Sequence, residues 1–516
     1  DQTIPFLRQA LQWHGEEPEF MEAVSLIKLL KREPSQARRS RLQLQAAASV
    51  RKLPFNPAGL VVCYEQTGHV DWMPYLHSSL AAQPVQVSAI QHNMCMYLAS
   101  TEASSCESHV RGQVRRLMDL PEFSEHAQSG SAPRRAQLAD AYFPLTVAWI
   151  TGDLAHHPVS RFLLGFLQAS AGSFGHRHLL VDLKDHESES VANRFDAIPG
   201  LERLDVGRLA PNQKLAAIRE LQPHLAIDLS GWTDGNFVTG FMARMAPVQV
   251  NYLGYFGSTG IPATDVWLGD AQLFPMPMQE WHQEQIVRLP RCFIAWQPPE
   301  VLPEALVPVT EPPTGPGIRF GSFNHNRKLS DATLRLWGRI LASIPDSRLV
   351  LKAHQRGDEA TQMLLRRRMQ RQGLDPERVI WLPIAPTSEE HLEQYAQMDV
   401  ALDCFPNGGC TTSCEALWMG VPVITLTGSS YVSRMSTAVL HGAGLPQFCA
   451  RDQQHYLQLA LEQAANLGWL RQNRAFWRHQ LQSNPLGDAA DLMRHLERCF
   501  TDLYRGAASA SEAMCQ

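Results

Sequence analysis

From residue 144 onward, short apolar runs alternate with stretches of helical periodicity, and this alternation restricts the folds that the chain can adopt. Strands that alternate with helices form a parallel sheet whose two faces are both covered. The first series of runs predicts buried strands at 145–151, 178–182, 225–229, 248–253 and 265–269, with helices at 159–171 and 213–221. We therefore expect a Rossmann-like lobe over residues 139–300.

A second series follows a proline-rich passage. Seven prolines fall within residues 297–317, and because proline removes backbone donors, we expect a linker at 301–317. The alternation then restarts, with predicted strands at 319–323, 348–352, 379–382, 399–403 and 421–426. These predict a second lobe over 318–485, followed by a C-terminal helix and tail over 486–516. The predicted class is α/β, with two Rossmann-like lobes behind a mostly helical N-terminal region.

The front of the chain, residues 1–138, is predicted to be mostly helical. Apolar residues recur at helical spacing over 17–30, and Pro34 separates this segment from a second one at 35–50. Two short helices joined near a proline are typical of one helical-repeat unit, so we expect a single hairpin at 1–52. The chain begins with Asp1 and not with Met. Repeats upstream of Asp1, or a compact helical segment in their place, both stay open.

Charge and composition exclude several classes of protein. The 516 residues carry a formal net charge of −5, which argues against a chain-wide basic surface for nucleic acid. The chain lacks an apolar run of about eighteen residues and a secretion signal, so we expect a cytoplasmic protein without a membrane partner. Ten cysteines without a C-x-x-C pair predict reduced thiols. A zinc site at Cys404, Cys410 and Cys414 is an alternative, which the intervening glycines disfavour.

The segment after the predicted strand at 399–403 carries the strongest chemical signal. It turns through a glycine pair at 408–409 into a helix that begins near Thr411 or Thr412, either of which could cap it. Glycine allows a ligand to approach closely, and the free N–H groups of a helix start bind anions. Glu415, one turn further, could accept hydrogen bonds from ribose hydroxyls. The alternative is an ordinary strand-to-helix turn.

The loop at 321–328 ends the first predicted strand of the second lobe. Lys328 offers a point charge for a diphosphate, and His325 could contact a base or a phosphate. The alternative is a solvated basic loop before a helix that Ser330 or Asp331 caps.

Two loops follow strands of the first lobe. His157 lies after its first strand, where a histidine can act as a base near pH 7; a surface histidine is the alternative. A metal site is disfavoured, because two adjacent histidines are expected to point to different sides. Three glycines at 254, 257 and 260 indicate either a loop that a ligand approaches or a structural turn.

Five ordered stretches of the chain resemble the catalytic region of glycosyltransferase family 41. This family includes protein O-GlcNAc transferases, SPINDLY O-fucosyltransferases and, more distantly, bacterial N-glucosyltransferases. The resemblance covers roughly residues 140–505 and is carried by LTVAWITGDLAHHPVS, APVQVNYLGYFGSTG, FGSFNHNRKLSDATLRLW, DVALDCFPNGGCTTSCEALWMGVPVITLTG and SRMSTAVLHGAGL. It implies two lobes of GT-B type and an inverting transfer from a nucleotide sugar.

The resemblance also implies roles for residues near the nucleotide. Lys328 is similar to the family lysine that neutralises the leaving diphosphate, and Thr411 and Thr412 match the threonine pair that holds it. Cys410 replaces the usual histidine beside that pair, and Glu415 replaces an aspartate that binds ribose. The implied nucleotide-sugar residues are Gly254, Asn324, His325, Lys328, Ala385, His391, Gly408, Gly409, Cys410, Thr411, Thr412 and Glu415.

Other positions match or depart from the family pattern. His325 stands where O-GlcNAc transferases have glutamine, and Ala385 and His391 lie in a segment similar to the one around uracil. His157 matches the histidine near sugar and acceptor, and Phe256 replaces a proline in the loop near the acceptor. The implied acceptor-side residues are Tyr255, Phe256 and Gly257.

The expected activity is an inverting, metal-independent transfer of GlcNAc from UDP-GlcNAc to Ser or Thr of proteins. The chain has no Asp-x-Asp pair to hold a divalent ion, so Lys328 and a helix start would supply the positive charge. His157 is the predicted base; a water relay and a substrate phosphate oxygen stay open. The alternatives are protein O-fucosyl or N-glucosyl transfer, a GT-B epimerase or small-molecule glycosyltransferase, and a degenerate scaffold. The expected partners are a nucleotide-sugar donor and a protein or peptide acceptor; no oligomeric state is indicated.

Overall fold

The computed structural model describes residues 144–298 and 317–515, with gaps at 156, 185–190, 234 and 353–358, as well as residue 315 and isolated positions between 107 and 119. The chain divides into two compact units. The seven-stranded unit contains the described residues of Ile90–Pro303, Gly428–Gln447 and Arg478–Gln516. The six-stranded unit contains those of Glu304–Thr427 and Phe448–Trp477.

The seven-stranded unit is built on a parallel sheet in the order β3-β2-β1-β4-β5-β6-β7. Its first elements are β1 (Thr146–Thr151), α1 (Pro158–Ala169), β2 (Arg177–Asp182), α2 (Ala192–Asp196), β3 (Leu201–Asp205), α3 (Pro211–Glu220), β4 (Leu225–Asp228), α4 (Val238–Met242), β5 (Val248–Tyr252), β6 (Val266–Asp270) and β7 (Gln285–Leu289). Every residue of β1, β4, β5 and β6 is buried, as expected for central strands covered on both faces. The strand order reverses between β1 and β4, and ligands bind at such a point at the carboxyl ends of the strands.

The six-stranded unit has a second parallel sheet, in the order β10-β9-β8-β11-β12-β13. The elements from this point on are β8 (Arg319–Ser322), α5 (Asp331–Ser343), β9 (Arg348–Lys352), α6 (Glu359–Arg371), β10 (Val379–Leu382), α7 (Ser388–Glu393), β11 (Val400–Leu402), α8 (Thr411–Trp418), β12 (Val423–Leu426), α9 (Tyr431–Gly442), β13 (Cys449–Ala450), α10 (Gln453–Ala465), α11 (Leu467–Gln472), α12 (Arg474–Ser483) and α13 (Ala489–Cys515). Here the order reverses between β8 and β11. Helices α9 and α13 belong to the seven-stranded unit, where α13 packs against α1.

The predicted fold class, α/β with two Rossmann-like lobes, is confirmed, and the central strands lie within two residues of their predicted ends. Strands β3 and β7 were not predicted, because several of their residues are exposed and neither forms an apolar run. The grouping of residues differs from the expected lobe at 318–485, since residues 428–447 and 478–485 belong with the first sheet.

The other predicted boundaries stay predictions. The N-terminal region at 1–138, its hairpin at 1–52 and the linker at 301–317 lie outside the described residues, apart from isolated positions.

Candidate active site

A buried carboxylate holds the glycine loop of the six-stranded unit in place. Asp403 follows β11 and is only 2 % exposed. Its Oδ1 accepts hydrogen bonds from the Gly409 N–H (2.8 Å) and from Asn324 Nδ2 (3.2 Å), and its Oδ2 accepts one from the Thr425 hydroxyl (2.8 Å). Gly409 has no room for a side chain, because a Cβ there would lie 2.5 Å from Thr412 Oγ1. The carboxylate therefore joins the loop to the ends of β8 and β12.

Lys328 meets the same loop from the β8 side. It ends a short 3₁₀ helix, Asn326–Lys328, and its Nζ donates to the Gly408 carbonyl oxygen at 2.7 Å. The Thr412 hydroxyl donates to Asn324 Oδ1 at 3.1 Å, so the β8 loop and the start of α8 are directly bonded. A half-buried ammonium beside the positive end of a helix is an arrangement that can bind an anion.

Helix α8 begins where the sequence predicts, but the predicted cap is wrong. Cys410 is the N-cap residue and makes no side-chain capping bond, while Thr411 and Thr412 are the first two helical residues. Thr412 uses its hydroxyl to bind Asn324. The cap predicted for α5 is confirmed, since the Ser330 side chain accepts from the Thr333 N–H.

Glu415 and His391 form the second half of the site. Glu415 is buried, and its Oε2 accepts from His391 Nε2 at 3.1 Å and lies 3.3 Å from the Tyr395 hydroxyl. The Tyr395 hydroxyl also lies 3.2 Å from the Thr412 carbonyl oxygen, which connects this half to the glycine loop. Ala385 lies in the half-exposed segment between β10 and α7.

Lys352, the last residue of β9, was not predicted from the sequence as a residue of the site. Its side chain is buried, its Nζ is hydrogen-bonded to His391 Nδ1, and it lies 5.7 Å from the centre of the Phe323 ring. Burial lowers the pKa of Lys352 to about 8, against the opposing effect of Glu415. A polar residue that ends an apolar strand next to a ligand-binding edge was the available signal, for Lys352 as for Asp403.

His157 lies in the seven-stranded unit, at the N-cap of α1. Its Nδ1 accepts from the Val159 N–H at 3.4 Å and lies 3.7 Å from Asp153 Oδ2. A neutral ring that accepts at Nδ1 carries its proton on Nε2 and offers that atom as a donor. To take up a proton, the ring would have to give up the cap bond.

The loop predicted to face the acceptor belongs to the same unit as His157. Gly254 is packed so closely that a Cβ would lie 1.8 Å from the Leu229 carbonyl oxygen. The Tyr255 ring is fully buried, whereas Phe256 is partly exposed. Asn251 Nδ2 donates to the Gly257 carbonyl oxygen at 3.1 Å and holds the end of the loop.

The predicted residues are thus divided between the two units. The six-stranded unit brings together Asn324, Lys328, Gly408, Gly409, Thr412, His391 and Glu415. His325, Ala385, Cys410 and Thr411 lie on the same loops and helix start. The roles assigned to all of these residues stay predictions.

The cysteines beside the glycine loop differ in accessibility. Cys404 and Cys414 are buried and Cys410 is half-buried. Burial raises the pKa of Cys404 far above its ordinary value. Among the residues that the structure describes, no group of three or more His, Cys, Asp or Glu side chains is arranged to hold a metal ion. Across the same residues, no helix has the length and apolar character needed to cross a membrane.

Comparisons with known proteins agree on one family. Residues 313–495 match the family described as Glycosyl transferase family 41. The chain is 31% identical over 411 residues to the probable UDP-N-acetylglucosamine–peptide N-acetylglucosaminyltransferase SPINDLY of Solanum lycopersicum, covering 78% of this chain and 42% of that protein. It is 26% identical over 368 residues to the probable enzyme of the same activity named SEC of Arabidopsis thaliana, covering 70% of this chain and 37% of that protein.

A solved structure is also similar over nearly the whole chain. A mutant of the Thermobaculum terrenum O-GlcNAc transferase superposes with a TM-score of 0.85 at 27% identity, covering 98% of this chain and 94% of that one. The chain spans about two fifths of the length of the curated plant relatives described above.

Proposed function

Since the chain belongs to glycosyltransferase family 41, we propose that it transfers GlcNAc from UDP-GlcNAc to Ser or Thr hydroxyls of proteins, with inversion and without a metal ion. The observation that carries the proposal is the contact between Lys328 Nζ and the Gly408 carbonyl at the start of α8. This arrangement places an ammonium on the loop that leads into the positive end of a helix, and a diphosphate requires positive charge of this kind.

The proposed reaction is an in-line displacement. The acceptor hydroxyl attacks the anomeric carbon, and the C–O bond to the diphosphate breaks on the opposite face. Lys328 and the positive end of α8 stabilise the negative charge that develops on the diphosphate, which is usually the largest contribution to such catalysis. The ribose hydroxyls donate to Glu415, and His157 takes the acceptor proton at Nδ1 as that atom releases its cap bond to the Val159 N–H.

Metal independence is part of the proposal. The sequence has no Asp-x-Asp pair, and Lys328 supplies positive charge at the loop. Activity that is unchanged by EDTA and not restored or raised by added Mg²⁺ or Mn²⁺ supports this; loss with EDTA and recovery with either ion contradicts it.

The test is a donor panel with a Ser/Thr peptide mixture. Purified chain is incubated with UDP-GlcNAc, UDP-glucose or GDP-fucose, and modified peptides are mapped by mass spectrometry. Transfer of GlcNAc to Ser or Thr supports the proposal. Transfer only from GDP-fucose or UDP-glucose would replace it with one of the family alternatives, and donor turnover without peptide transfer would indicate an epimerase or a small-molecule enzyme.

A substitution of Lys328 tests whether the transfer activity depends on this site. Lys328→Ala is expected to lower kcat by about 10²–10³-fold, because the substitution removes a preorganised positive charge that stabilises the leaving diphosphate. The affinity for UDP should change much less. Lys214→Met is a matched control, since that lysine lies in the other unit and binds the Leu183 carbonyl oxygen. Equal activity of Lys328→Ala and wild type would overturn the assignment.

A further inference from the structure

Three side chains behind the glycine loop form a continuous hydrogen-bonded chain, here called the Lys–His–Glu chain. Lys352 Nζ is bonded to His391 Nδ1, and His391 Nε2 lies 3.1 Å from Glu415 Oε2. The residues come from β9, α7 and α8, and Lys352 and His391 are 39 positions apart in the sequence. Lys352 and Glu415 are both buried, so the Lys–His–Glu chain of hydrogen bonds is shielded from water at both ends.

The direction of the hydrogen bonds follows from the chemistry of the end groups. An ammonium can only donate and a carboxylate can only accept. Lys352 therefore donates to His391 Nδ1, which must carry no proton. The imidazole is neutral, its proton lies on Nε2, and it donates to Glu415. A buried hydrogen bond between His391 and Lys352 thus selects the tautomer that the carboxylate needs.

The alternative protonation pattern moves one proton from lysine to histidine. It would give a neutral amine, an imidazolium and the same carboxylate. Burial lowers the pKa of Lys352 to about 8, so the ammonium form prevails at neutral pH.

Lys352 is also fixed in position by its surroundings. Its ammonium lies 5.7 Å from the centre of the Phe323 ring, and that ring is 4.6 Å from the Tyr395 ring, centre to centre. Tyr395 in turn lies against Glu415 and the Thr412 carbonyl oxygen. Lys352 is therefore linked to Glu415 directly through His391 and more remotely through the Phe323 and Tyr395 rings.

We propose that Lys352 is a positioning residue for the nucleotide-sugar donor: it fixes the tautomer of His391, and His391 holds the Glu415 carboxylate in place for the ribose. The inference rests on the proposed function, because it assigns Glu415 to the nucleoside. Without Lys352, His391 can place its proton on Nδ1 and turn an unprotonated Nε2 toward Glu415. Two acceptors then face each other, and the carboxylate loses its donor.

The first test reads the tautomer and needs no substrate. The full chain is labelled with ¹⁵N-histidine, and long-range ¹H–¹⁵N spectra are recorded at pH 7.5, with the His391 signals identified by their absence in His391→Gln. In wild type we expect an unprotonated Nδ1 and a protonated Nε2. In Lys352→Met, which removes the donor and keeps the apolar stem, we expect a mixture of tautomers. A doubly protonated His391 in wild type, or the same single tautomer in Lys352→Met, would overturn the inference.

The second test separates binding from chemistry. Lys352→Met is expected to raise the UDP dissociation constant and the donor KM about tenfold, the cost of one charge-assisted hydrogen bond, with kcat changed less than about threefold. Lys352→Gln keeps a donor for Nδ1 and should recover most of this loss. Lys214→Met should behave as wild type. A fall in kcat with unchanged KM, or no rescue by the glutamine, would contradict a positioning role.

The two tests also separate this inference from the proposed function. If no donor of the panel is consumed, the proposed function fails, but the tautomer spectra still report whether Lys352 governs His391. If GlcNAc transfer is observed and Lys352→Met leaves both the tautomer and the UDP affinity unchanged, the inference fails and the proposed function stands.

Discussion

Asp403 offers the sharpest test of how the six-stranded unit holds its glycine loop. The change Asp403→Asn keeps the size of the side chain and removes its charge. The carboxylate accepts three hydrogen bonds, from the Gly409 N–H, Asn324 Nδ2 and the Thr425 hydroxyl. An amide can accept at only one of its two positions, so at least one of these donors must turn or lose its partner.

The magnitude follows from these contacts. A hydrogen bond to a charged group contributes about 1 kcal/mol more than a neutral one, so three bonds lose about 3 kcal/mol. The neutral amide is easier to bury than the carboxylate, which returns part of the loss. We expect the free energy of unfolding to fall by about 2 kcal/mol, and the UDP dissociation constant to rise at least tenfold because the glycine loop is no longer held in place.

The assays are urea unfolding and calorimetric titration with UDP. Asp399→Asn is the matched control, because Asp399 is equally buried and precedes the same strand, where it pairs with Arg471 at 2.9 Å. It should destabilise the unit without changing UDP affinity at temperatures where the variant is folded. If Asp403→Asn has wild-type stability and UDP affinity, or if both variants weaken UDP binding equally, the role given to Asp403 is refuted.

Three further predictions concern single side chains. His157→Asn keeps an acceptor for the α1 cap but cannot take up a proton, so it should fold normally and lose most transfer activity; activity near wild type would show that another group is the base. His178 is buried and accepts from the Trp149 indole N–H at 3.0 Å, and burial lowers its pKa. Its stabilising effect is therefore complete above the ordinary histidine pKa and is lost as the pH falls below about 6.5; urea unfolding at pH 7.5 and 5.5 should show a drop that His178→Gln reduces, and an equal drop in both proteins would contradict this. Iodoacetamide should label the half-buried Cys410 before the buried Cys414, and UDP should slow that labelling; peptide mapping that finds Cys414 modified first, or no protection by UDP, would contradict the placement of the loop.

The sequence predicted the central strands well for a physical reason. Strands such as β1 and β5 are covered on both faces, so each is a continuous apolar run that stands out from its neighbours. Strand β3 lies at the edge of its sheet and exposes part of its surface, so its residues, LERLD, carry no such signal. An edge strand of this kind can be recognised only when its pairing with the neighbouring strand is known.

The candidate site was predicted in outline and not in its contacts. Parallel topology places the residues that follow β8 and β11 at one edge, which is why Lys328 and the glycine loop could be associated from the sequence. The contacts of Lys352 depend on the strand order, in which β9 lies beside β8, and no local pattern encodes that order. The cap of α8 was missed for a related reason, since the Thr412 hydroxyl has a distant partner in Asn324.

After residue 317, lysine and arginine are used in different places, and this difference is consistent with the roles proposed for Lys328 and Lys352. Lysine occurs only twice after residue 317, at 328 and 352, whereas arginine is frequent. The buried Arg368 and Arg474 bond Asp331 and several backbone carbonyls, which suits a planar group with many fixed donors. Lysine is a compact charge on a flexible stem whose pKa shifts readily on burial. Lys328 bonds the Gly408 carbonyl of the glycine loop and Lys352 is hydrogen-bonded to His391, whereas the arginines hold backbone carbonyls and a carboxylate of the fold.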